Sequence, residues 1–369
     1  MSQPGLGIVA ATVVMAIALG FMSLFDFGTL AGSVAFFNLC LIPLQVVMVV
    51  FWGANPPFVS TLRQPAKGLV LLAVNVAVAA VLFPLLLRVV GEGISPPGPI
   101  PSHFLILVVP TTFFLTIVWG GWPFNQLIKN RAAAGCALLI AAYVITFAVF
   151  QAFFNYGFLQ GTPVYLASAP RGLYGAVMAL VSYVTALVVM FLLLCFDLWP
   201  LTTSPAVMRQ PVLGVVWTLM IVAGTAIAML VGVSSAGIDP MVFLTRVTVP
   251  FIFGAIIVLN MLQNSLFASM TQPLKGVMNA VAAAVIGVVL ARLYGFLAPA
   301  LTGQLVSGPP AYEYEIWLAN ALLSVTFPFL IFFAAYFNYW PLVAATSACR
   351  SSQPAPRPRS SRPGADPRG

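Results

Sequence analysis

Long apolar stretches recur along the whole chain and are separated by short segments rich in Gly, Pro and charged residues. Each is about 20 residues long, the length that an α-helix needs to cross a hydrocarbon core of about 30 Å. Strands are a poor explanation, because stretches such as AVNVAVAAVLFPLLL are continuously apolar, whereas transmembrane strands alternate in polarity. The pattern predicts an all-α integral membrane protein with about ten spans. The predicted spans are residues 6–27, 29–52, 68–90, 104–124, 134–156, 172–198, 211–234, 241–263, 276–297 and 315–338.

The composition agrees with this pattern and excludes a water-soluble domain. Of the 369 residues, 61% are hydrophobic and 6% are charged, and the mean hydropathy is +1.06. We expect a polytopic transmembrane domain over residues 1–347. The remaining segment, 348–369, is basic and rich in Pro, Ser and Arg, which predicts a disordered tail. The first span lacks a basic leader and a small-residue cleavage site, so it is predicted to be a retained helix.

Charged residues between the predicted spans are sorted by face. One face carries Arg63, Lys67, Lys129, Arg131, Arg209, Lys275 and the Arg-rich tail. The other carries Asp26, Glu92, Asp239, Glu313, Glu315 and Arg171. The positive-inside bias therefore predicts that both termini are cytoplasmic, in a plasma membrane such as the bacterial inner membrane. The net charge of +8 is explained by this orientation and by contact with anionic lipids, so it does not indicate nucleic acid as a partner.

A two-span repeat is visible in the sequence. Residues 51–68, placed without gaps over residues 118–135, align Trp52 with Trp119 and Gly68 with Gly135. Related segments recur at 196–214, at 263–276 and at 337–342. The sequence thus predicts one leading helix, four helical hairpins and a final half unit, with repeats of roughly 65–77 residues. Because each repeat covers two spans, the repeats are predicted to be parallel, unlike the inverted repeats of many transporters.

Trp-Pro pairs mark the ends of several predicted spans on the basic side. Trp favours the membrane interface and Pro cannot continue a helix, so we interpret Trp-Pro as a helix stop at headgroup level. The Gln-Pro pairs that follow are predicted to begin the next helix, with Pro in its first turn. The tryptophans are predicted to be interfacial anchors, and the alternative is an aromatic gate. These tryptophans are Trp52, Trp119, Trp122, Trp199 and Trp340.

Prolines also recur within the even-numbered spans, except in the sixth. Pro43, Pro110 and Pro328 each lie 13 residues before a helix-ending proline, and Pro250 lies at a comparable place. Such prolines free a backbone carbonyl and bend a helix, so four helices are predicted to kink at one depth. Nearby polar side chains either repair the backbone or line a central polar cavity that binds substrate. The substrate-binding candidates are Asn38, Gln45, Thr111, Thr248 and Ser324.

Arg88, Arg246 and Arg292 lie inside predicted spans, near the less basic face. Arginine in a membrane span is a candidate functional residue by default. One interpretation is that these side chains reach lipid headgroups or pair with acids in the loops. The other is a cationic vestibule that receives an anion. Asp197 is predicted to pair with Arg209 across its hairpin.

The chain carries no recognised catalytic motif, and its single His and four scattered cysteines, Cys40, Cys136, Cys195 and Cys349, predict no metal site and no cofactor. The architecture favours a permease that moves a small organic or anionic solute between the bent even-numbered helices. A non-catalytic assembly subunit and a lipid-modifying enzyme stay open as alternatives. The lipid bilayer is the predicted partner in every case. A permease would also bind a small-molecule solute, and an assembly subunit would bind a partner membrane protein.

Overall fold

The computed structural model describes residues 2–343, and the predicted tail at 348–369 lies outside the described residues. Within that range, ten helices are long and apolar enough to cross a membrane, which confirms the all-α polytopic membrane fold. The helices are α1 Gly5–Met22, α2 Phe27–Phe51, α3 Ala66–Val90, α4 Pro99–Val118, α5 Arg131–Phe153, α6 Ala176–Cys195, α7 Val212–Ser235, α8 Pro240–Met261, α9 Leu274–Thr302 and α10 Glu313–Tyr336. A two-stranded parallel sheet, β1 Phe154–Asn155 and β2 Tyr174–Gly175, lies between α5 and α6.

The helices alternate in direction between two faces of the molecule. Odd-numbered helices begin, and even-numbered helices end, at the face that carries Arg63, Lys129 and Lys275, here called the basic face. The opposite face carries Asp26 and Asp239 and is called the acidic face. These two acids cap the first turns of α2 and α8, because each carboxylate accepts hydrogen bonds from backbone N–H groups there.

The even-numbered helices form the interior. Between 44% and 72% of the residues in the most apolar stretch of each even-numbered helix are buried, against 17% to 39% for the odd-numbered helices. Around the interior, α2 packs on α4, α4 on α6, α6 on α8 and α8 on α10, and α10 returns to α2. The five even-numbered helices therefore form a closed ring, here called the inner ring, and all of them run in the same direction.

Each odd-numbered helix begins against the basic-face end of an even-numbered helix. The first turn of α1 contacts α8, that of α3 contacts α10, that of α5 contacts α2, that of α7 contacts α4, and that of α9 contacts α6. The arrangement therefore has the same contact five times around the ring. Polar side chains and glycines at the first turns of the odd-numbered helices form this contact.

A glutamine side chain makes this contact with both of its polar atoms. Just before α7, Gln210 Nε2 donates to the carbonyl of Val118 at 2.9 Å, while Gln210 Oε1 accepts from the backbone N–H of Gly214 at 3.1 Å. The same pair of bonds is made by Gln3 to Met261 and Gly7 and by Gln64 to Tyr336 and Gly68. We call this arrangement the glutamine clamp. It satisfies one free N–H at a helix start and one free C=O at a helix end, which would otherwise be costly in lipid.

Two of the five contacts use other donors. Just before α9, Gln272 Oε1 accepts from the backbone N–H of Gly276 in the same way, but Gln272 Nε2 donates to Asp197 at 3.0 Å. In α5, Arg131 replaces the glutamine and donates to the carbonyl of Phe51 at 2.7 Å. The contact between the two helices is thus kept where the residue type changes, although Arg131 makes only the bond to the carbonyl.

A glycine four residues after the clamp position allows the two helices to approach closely. A Cβ on Gly135 would overlap the ring of Trp52, and one on Gly214 would overlap Trp119. Gly68 and Gly276 lie against Phe337 and Phe196 in the same way. Each bulky ring belongs to the residue that follows the last turn of an even-numbered helix.

The even-numbered helices end before the Trp-Pro pairs, so the prediction that Trp-Pro is the stop is wrong. Each helix is followed by two residues with positive φ, such as Gly120 at 56° and Gly121 at 76°. The other four pairs are 53–54, 197–198, 263–264 and 338–339. A backbone in the left-handed region terminates a helix, and here non-glycine residues adopt it in four of the five pairs at a cost of roughly 1–2 kcal/mol per residue. Pro123 and Pro200 instead begin short helical turns in the following loops.

The first helix is also different from the prediction. The sequence predicted a leading helix outside the hairpin pattern, but α1 begins with a glutamine clamp of its own and packs on the end of α8. Tyr339, beyond the end of α10, donates to the carbonyl of Met261 at 2.9 Å, and Gln3 donates to the same carbonyl at 3.2 Å. The first and last parts of the described chain therefore meet at one atom.

Proline in an even-numbered helix is followed by a widened turn. The α-helical backbone continues through Pro43, Pro110 and Pro328, and π-helical segments begin four residues later. In α8 the π-helical segment lies at Ile257–Met261, after Pro250. The sixth span, which has no proline, is α-helical from Ala176 to Cys195. Among the even-numbered helices, proline and the wide last turn therefore occur together, whereas α7 ends in a π-helical segment without a proline. The predicted bend of the even-numbered helices stays a prediction.

Gly287 in α9 faces Pro250 in α8 at a point where the two helices nearly touch. A Cβ on Gly287 would overlap the carbonyl of Pro250, which cannot move aside like a flexible side chain. We expect Gly287→Ala to destabilise the protein by about 1–3 kcal/mol through overpacking, measured as a lower Tm in detergent. Gly20→Ala is the matched control, because nothing lies within 4 Å of the added Cβ. Equal melting of Gly287→Ala and wild type would contradict the close approach.

The glutamine clamp at Gln210 provides a second test of the fold. Gln210→Ala removes a hydrogen bond to α4 and one to the first turn of α7, so we expect it to cost about 1–2 kcal/mol. Gln126→Ala, at an exposed position on the same face, is the control. Thermal unfolding of both variants measures the difference, and a loss no greater for Gln210→Ala than for Gln126→Ala would show that the clamp contributes little.

Candidate functional site

A small cavity lies on the axis of the inner ring. Its volume is about 80 Å³, and all five even-numbered helices line it. That space suffices for only a few water-sized molecules. The lining is apolar except for Asn320 and Ser324 on α10. We call it the central cavity and treat it as the candidate functional site.

Three phenylalanines close the side of the central cavity that faces the basic face. Phe113, Phe191 and Phe327 are the last residues of α4, α6 and α10 to line it in the direction of that face. The ring of Phe113 lies 5.6 Å from that of Phe191 and 6.4 Å from that of Phe327, measured between centroids. Aromatic rings at these separations are in contact, so this end of the cavity is sealed by apolar surface.

Of the five polar substrate-binding candidates, Ser324 lines the central cavity. Its hydroxyl donates to Asn320 Oδ1 at 2.9 Å, which leaves the amide nitrogen of Asn320 free to face a solute. Asn320 lies one helical turn before Ser324 and was not recognised from the sequence. The spacing of four residues, which places both side chains on one face of α10, is the signal that could have identified it.

Thr111 lies at a hydrogen-bonded junction of three helices instead. Its hydroxyl donates to the carbonyl of Leu107 at 2.9 Å and lies 2.8 Å from the hydroxyl of Tyr183, while Thr146 donates to it at 2.9 Å. The junction joins α4, α5 and α6. Thr248 lies 3.5 Å from Thr185 and joins α8 to α6 in the same manner.

Gln45 and Asn38 are buried in α2. Gln45 Nε2 donates to the carbonyl of Pro328 at 2.8 Å and so connects α2 with α10. Gln45 Oε1 and Asn38 Nδ2 have no hydrogen-bond partner among the described residues. Buried polar atoms of this kind are uncommon, and they leave capacity for a further bond.

The three candidate arginines lie on the surface. Arg88, Arg246 and Arg292 are exposed, and none lines the central cavity. The acids of the acidic face bond to neutral donors: Glu92 accepts from Ser168, and Glu315 from Ser307 and Gly308. A role of the arginines in binding an anion stays a prediction.

Asp197 pairs with Lys275, at 2.7 Å, rather than with Arg209 as predicted. Asn264 and Gln272 also donate to its carboxylate. Asp197 thereby joins the end of α6 to the first turn of α9, which is one of the five recurring contacts. Asp197 and Lys275 form the one ion pair found among residues 2–343, and their contacts identify them as a structural pair.

The five tryptophans at the basic face are in different environments. Trp52 is buried and donates to the carbonyl of Arg131 at 2.9 Å, and Trp119 stacks on Trp122 with centroids 5.5 Å apart. Trp199 and Trp340 are each 37% exposed. Trp52 and Trp119 therefore pack against odd-numbered helices, and a gate formed by all five stays a prediction.

Two acids of the acidic face accept backbone hydrogen bonds that favour their ionised form. The backbone N–H of Thr29 lowers the pKa of Asp26, and that of Ser168 lowers the pKa of Glu92. Both carboxyls are therefore ionised at neutral pH.

In the described part of the chain, no group of three or more His, Cys, Asp or Glu side chains could hold a metal ion.

The chain's relation to known proteins gives no further guide. No protein-family model matches it, and neither a curated protein nor a solved structure matches it. Any assignment of function therefore depends on the geometry of the site.

Thr111 tests whether the junction of α4, α5 and α6 stabilises the fold. Thr111→Val keeps the volume but leaves the hydroxyls of Thr146 and Tyr183 without this partner, so we expect a loss of about 1–3 kcal/mol. Thr12→Val is the control, because the Thr12 hydroxyl is exposed and bonds within its own helix. A Tm for Thr111→Val that matches the control would contradict a stabilising junction.

Proposed function

We propose that this protein is a permease whose pathway follows the axis of the inner ring. The observation that carries the proposal is the central cavity, which is lined by all five even-numbered helices. A pathway that translocates a solute needs a passage shielded from lipid, and the axis of a closed helix ring provides one. The structure then corresponds to a closed state, because the cavity holds about 80 Å³ and phenylalanines seal one end.

The lining of the central cavity favours a small neutral organic solute over an anion. Asn320 and Ser324 offer an amide and a hydroxyl, and no charged side chain of the described residues lines the cavity. Transfer of an unpaired charge into such an environment is costly, whereas a small polar molecule needs only a few hydrogen bonds. Phe113, Phe191 and Phe327 act as an apolar gate, which blocks flow because water leaves a narrow hydrophobic constriction.

The orientation follows from the loop charges. The basic face is assigned to the cytoplasm, where positive loop residues are retained, and the acidic face to the opposite side of a plasma membrane. A solute would then pass Asn320 and Ser324 before the phenylalanine gate on its way inwards.

The wide last turns support a gate that can move. Four of the five helices of the inner ring end in π-helical segments, which are frequent at functional sites and leave the hydrogen-bond ladder less regular. Opening requires the inner helices to separate near the phenylalanines, and these last turns lie on the basic-face side of them.

The proposal is tested by reconstitution into liposomes. Stopped-flow light scattering would measure entry of urea, glycerol and formamide as neutral probes, with formate as a small anion. We expect the wild type to admit at least one neutral probe faster than protein-free liposomes, and Phe191→Ala to increase that rate several-fold because it opens the gate. Ser324→Leu fills the cavity and should lower the rate.

Phe296→Ala is the matched control for the gate variant. Phe296 lies on α9 and is 81% exposed, so loss of its ring leaves the axis unchanged. If wild type, Phe191→Ala and Phe296→Ala all match protein-free liposomes for every probe, the permease proposal fails. Entry of formate alone would overturn the preference for a neutral solute.

A further inference from the structure

A second and larger cavity opens at the side of the molecule, between α5 and α7. Its volume is about 700 Å³, and α4, α5, α6 and α7 line it. We call it the lateral groove. Its floor is α6, where Ala179, Ser182 and Ala186 present small side chains to it. Pro110 and Leu187 form a wall that the lateral groove shares with the central cavity.

The hydroxyl groups along the body of the lateral groove are already bonded, and Tyr174 brings a further hydroxyl at its acidic-face end. Ser182, Thr218 and Thr225 donate to the carbonyls four residues earlier in their own helices, and Tyr183 bonds to Thr111. Polar atoms satisfied in this way offer little to a polar ligand. The body of any occupant of the groove is therefore apolar.

The groove has the length of a lipid chain. Its lining on α6 runs from Met178 to Met190, which is about 18 Å at 1.5 Å per residue. One leaflet of the hydrocarbon core is about 15 Å thick, half of the full core. An extended acyl chain that enters from the acidic-face leaflet would fill the groove along its length.

A positive charge lies on the short sheet, next to the acidic-face end of the groove. Phe153 and Tyr174 line this end and stack with centroids 6.2 Å apart. The short sheet pairs Phe154 with Tyr174, and Arg171, three residues before Tyr174, bridges to Asn155. Arg171 is exposed and is the one cation in the acidic-face loops between the described helices. Its guanidinium donates to the Tyr165 hydroxyl at 3.3 Å, which leaves most of its donors free.

We propose that the lateral groove binds one acyl chain of an anionic phospholipid from the acidic-face leaflet, with the headgroup phosphate at Arg171. The charge next to the acidic-face end of the groove and the apolar body of the groove match the two parts of such a lipid. Guanidinium groups bind phosphate through paired N–H donors, and an anionic lipid presents this phosphate without the ammonium of a zwitterionic headgroup, which Arg171 would repel. This site is independent of solute passage along the axis.

Native mass spectrometry of the purified full chain in a neutral detergent tests the proposal. Dioleoyl phosphatidylglycerol and dioleoyl phosphatidylcholine are added in separate samples at equal concentrations, and the bound lipids are counted. We expect phosphatidylglycerol to be preferred about five-fold at one site, the effect of one cation near the membrane surface. Arg171→Gln should abolish this preference, and Arg171→Lys should keep part of it.

Filling the groove tests the position of the chain. Ala186→Trp should remove one bound lipid, whereas Ala77→Trp, on the exposed surface of α3, should not. If Ala186→Trp does not fold, labelling of the wild type by phosphatidylglycerol with a diazirine in its acyl chain decides the question. Label concentrated in residues 178–190 and 218–229 supports the proposal. Label spread evenly over the helices, or a wild-type preference unchanged in Arg171→Gln, overturns it.

Discussion

The contact between the first turn of an odd-numbered helix and the last turn of an even-numbered one determines the rest of this structure. The C=O groups at these helix ends belong to the buried residues Val118, Tyr336 and Met261, and a buried polar backbone group that lacks a partner is costly. The glutamine side chain bonds to one such C=O and to one backbone N–H, and the glycine one turn later allows the helices to approach. Because the contact occurs five times, it fixes the positions of five peripheral helices around five inner ones. The inner ring is held closed from outside, so its axis can remain loosely packed.

The inner ring is not uniform, and its differences follow from single residues. Four of its helices contain a proline and a wide last turn, whereas α6 contains neither. At the end of α6, the N–H of Leu198 bonds to the carbonyl of Leu193 five residues earlier. At the end of α4, the N–H of Gly121 donates to the carbonyl of Leu115, six residues earlier, because the π-helical turn holds an extra residue. The helix with the regular end is also the one that forms the floor of the lateral groove.

The fold could be predicted further than the site. Apolar stretches of about 20 residues predict the ten helices of this chain. The spacing of Trp52 and Trp119 predicts a two-span repeat. The clamp of α1 was missed because Gln3 and Pro4 stand before an otherwise unremarkable apolar stretch. Phe113, Phe191 and Phe327 could not be selected among 29 phenylalanines, since their role depends on which side of each helix faces the axis. Polar residues drew attention because they are rare in lipid, yet most of them join helices, as Thr111 does.

The convergence of Gln3 and Tyr339 on the carbonyl of Met261 has a consequence for the order of the chain. The first hairpin and the last are neighbours in space and are held by bonds of the same kind as those that hold any other pair of hairpins. No pair of neighbouring hairpins in the ring is therefore distinguished by its contacts. The packing does not determine which hairpin comes first along the chain. A circular permutant that joins these two positions through a short linker and opens the chain in another basic-face loop would keep every contact between helices. In this architecture, the order of the hairpins around the ring is therefore separate from the position at which the chain is opened.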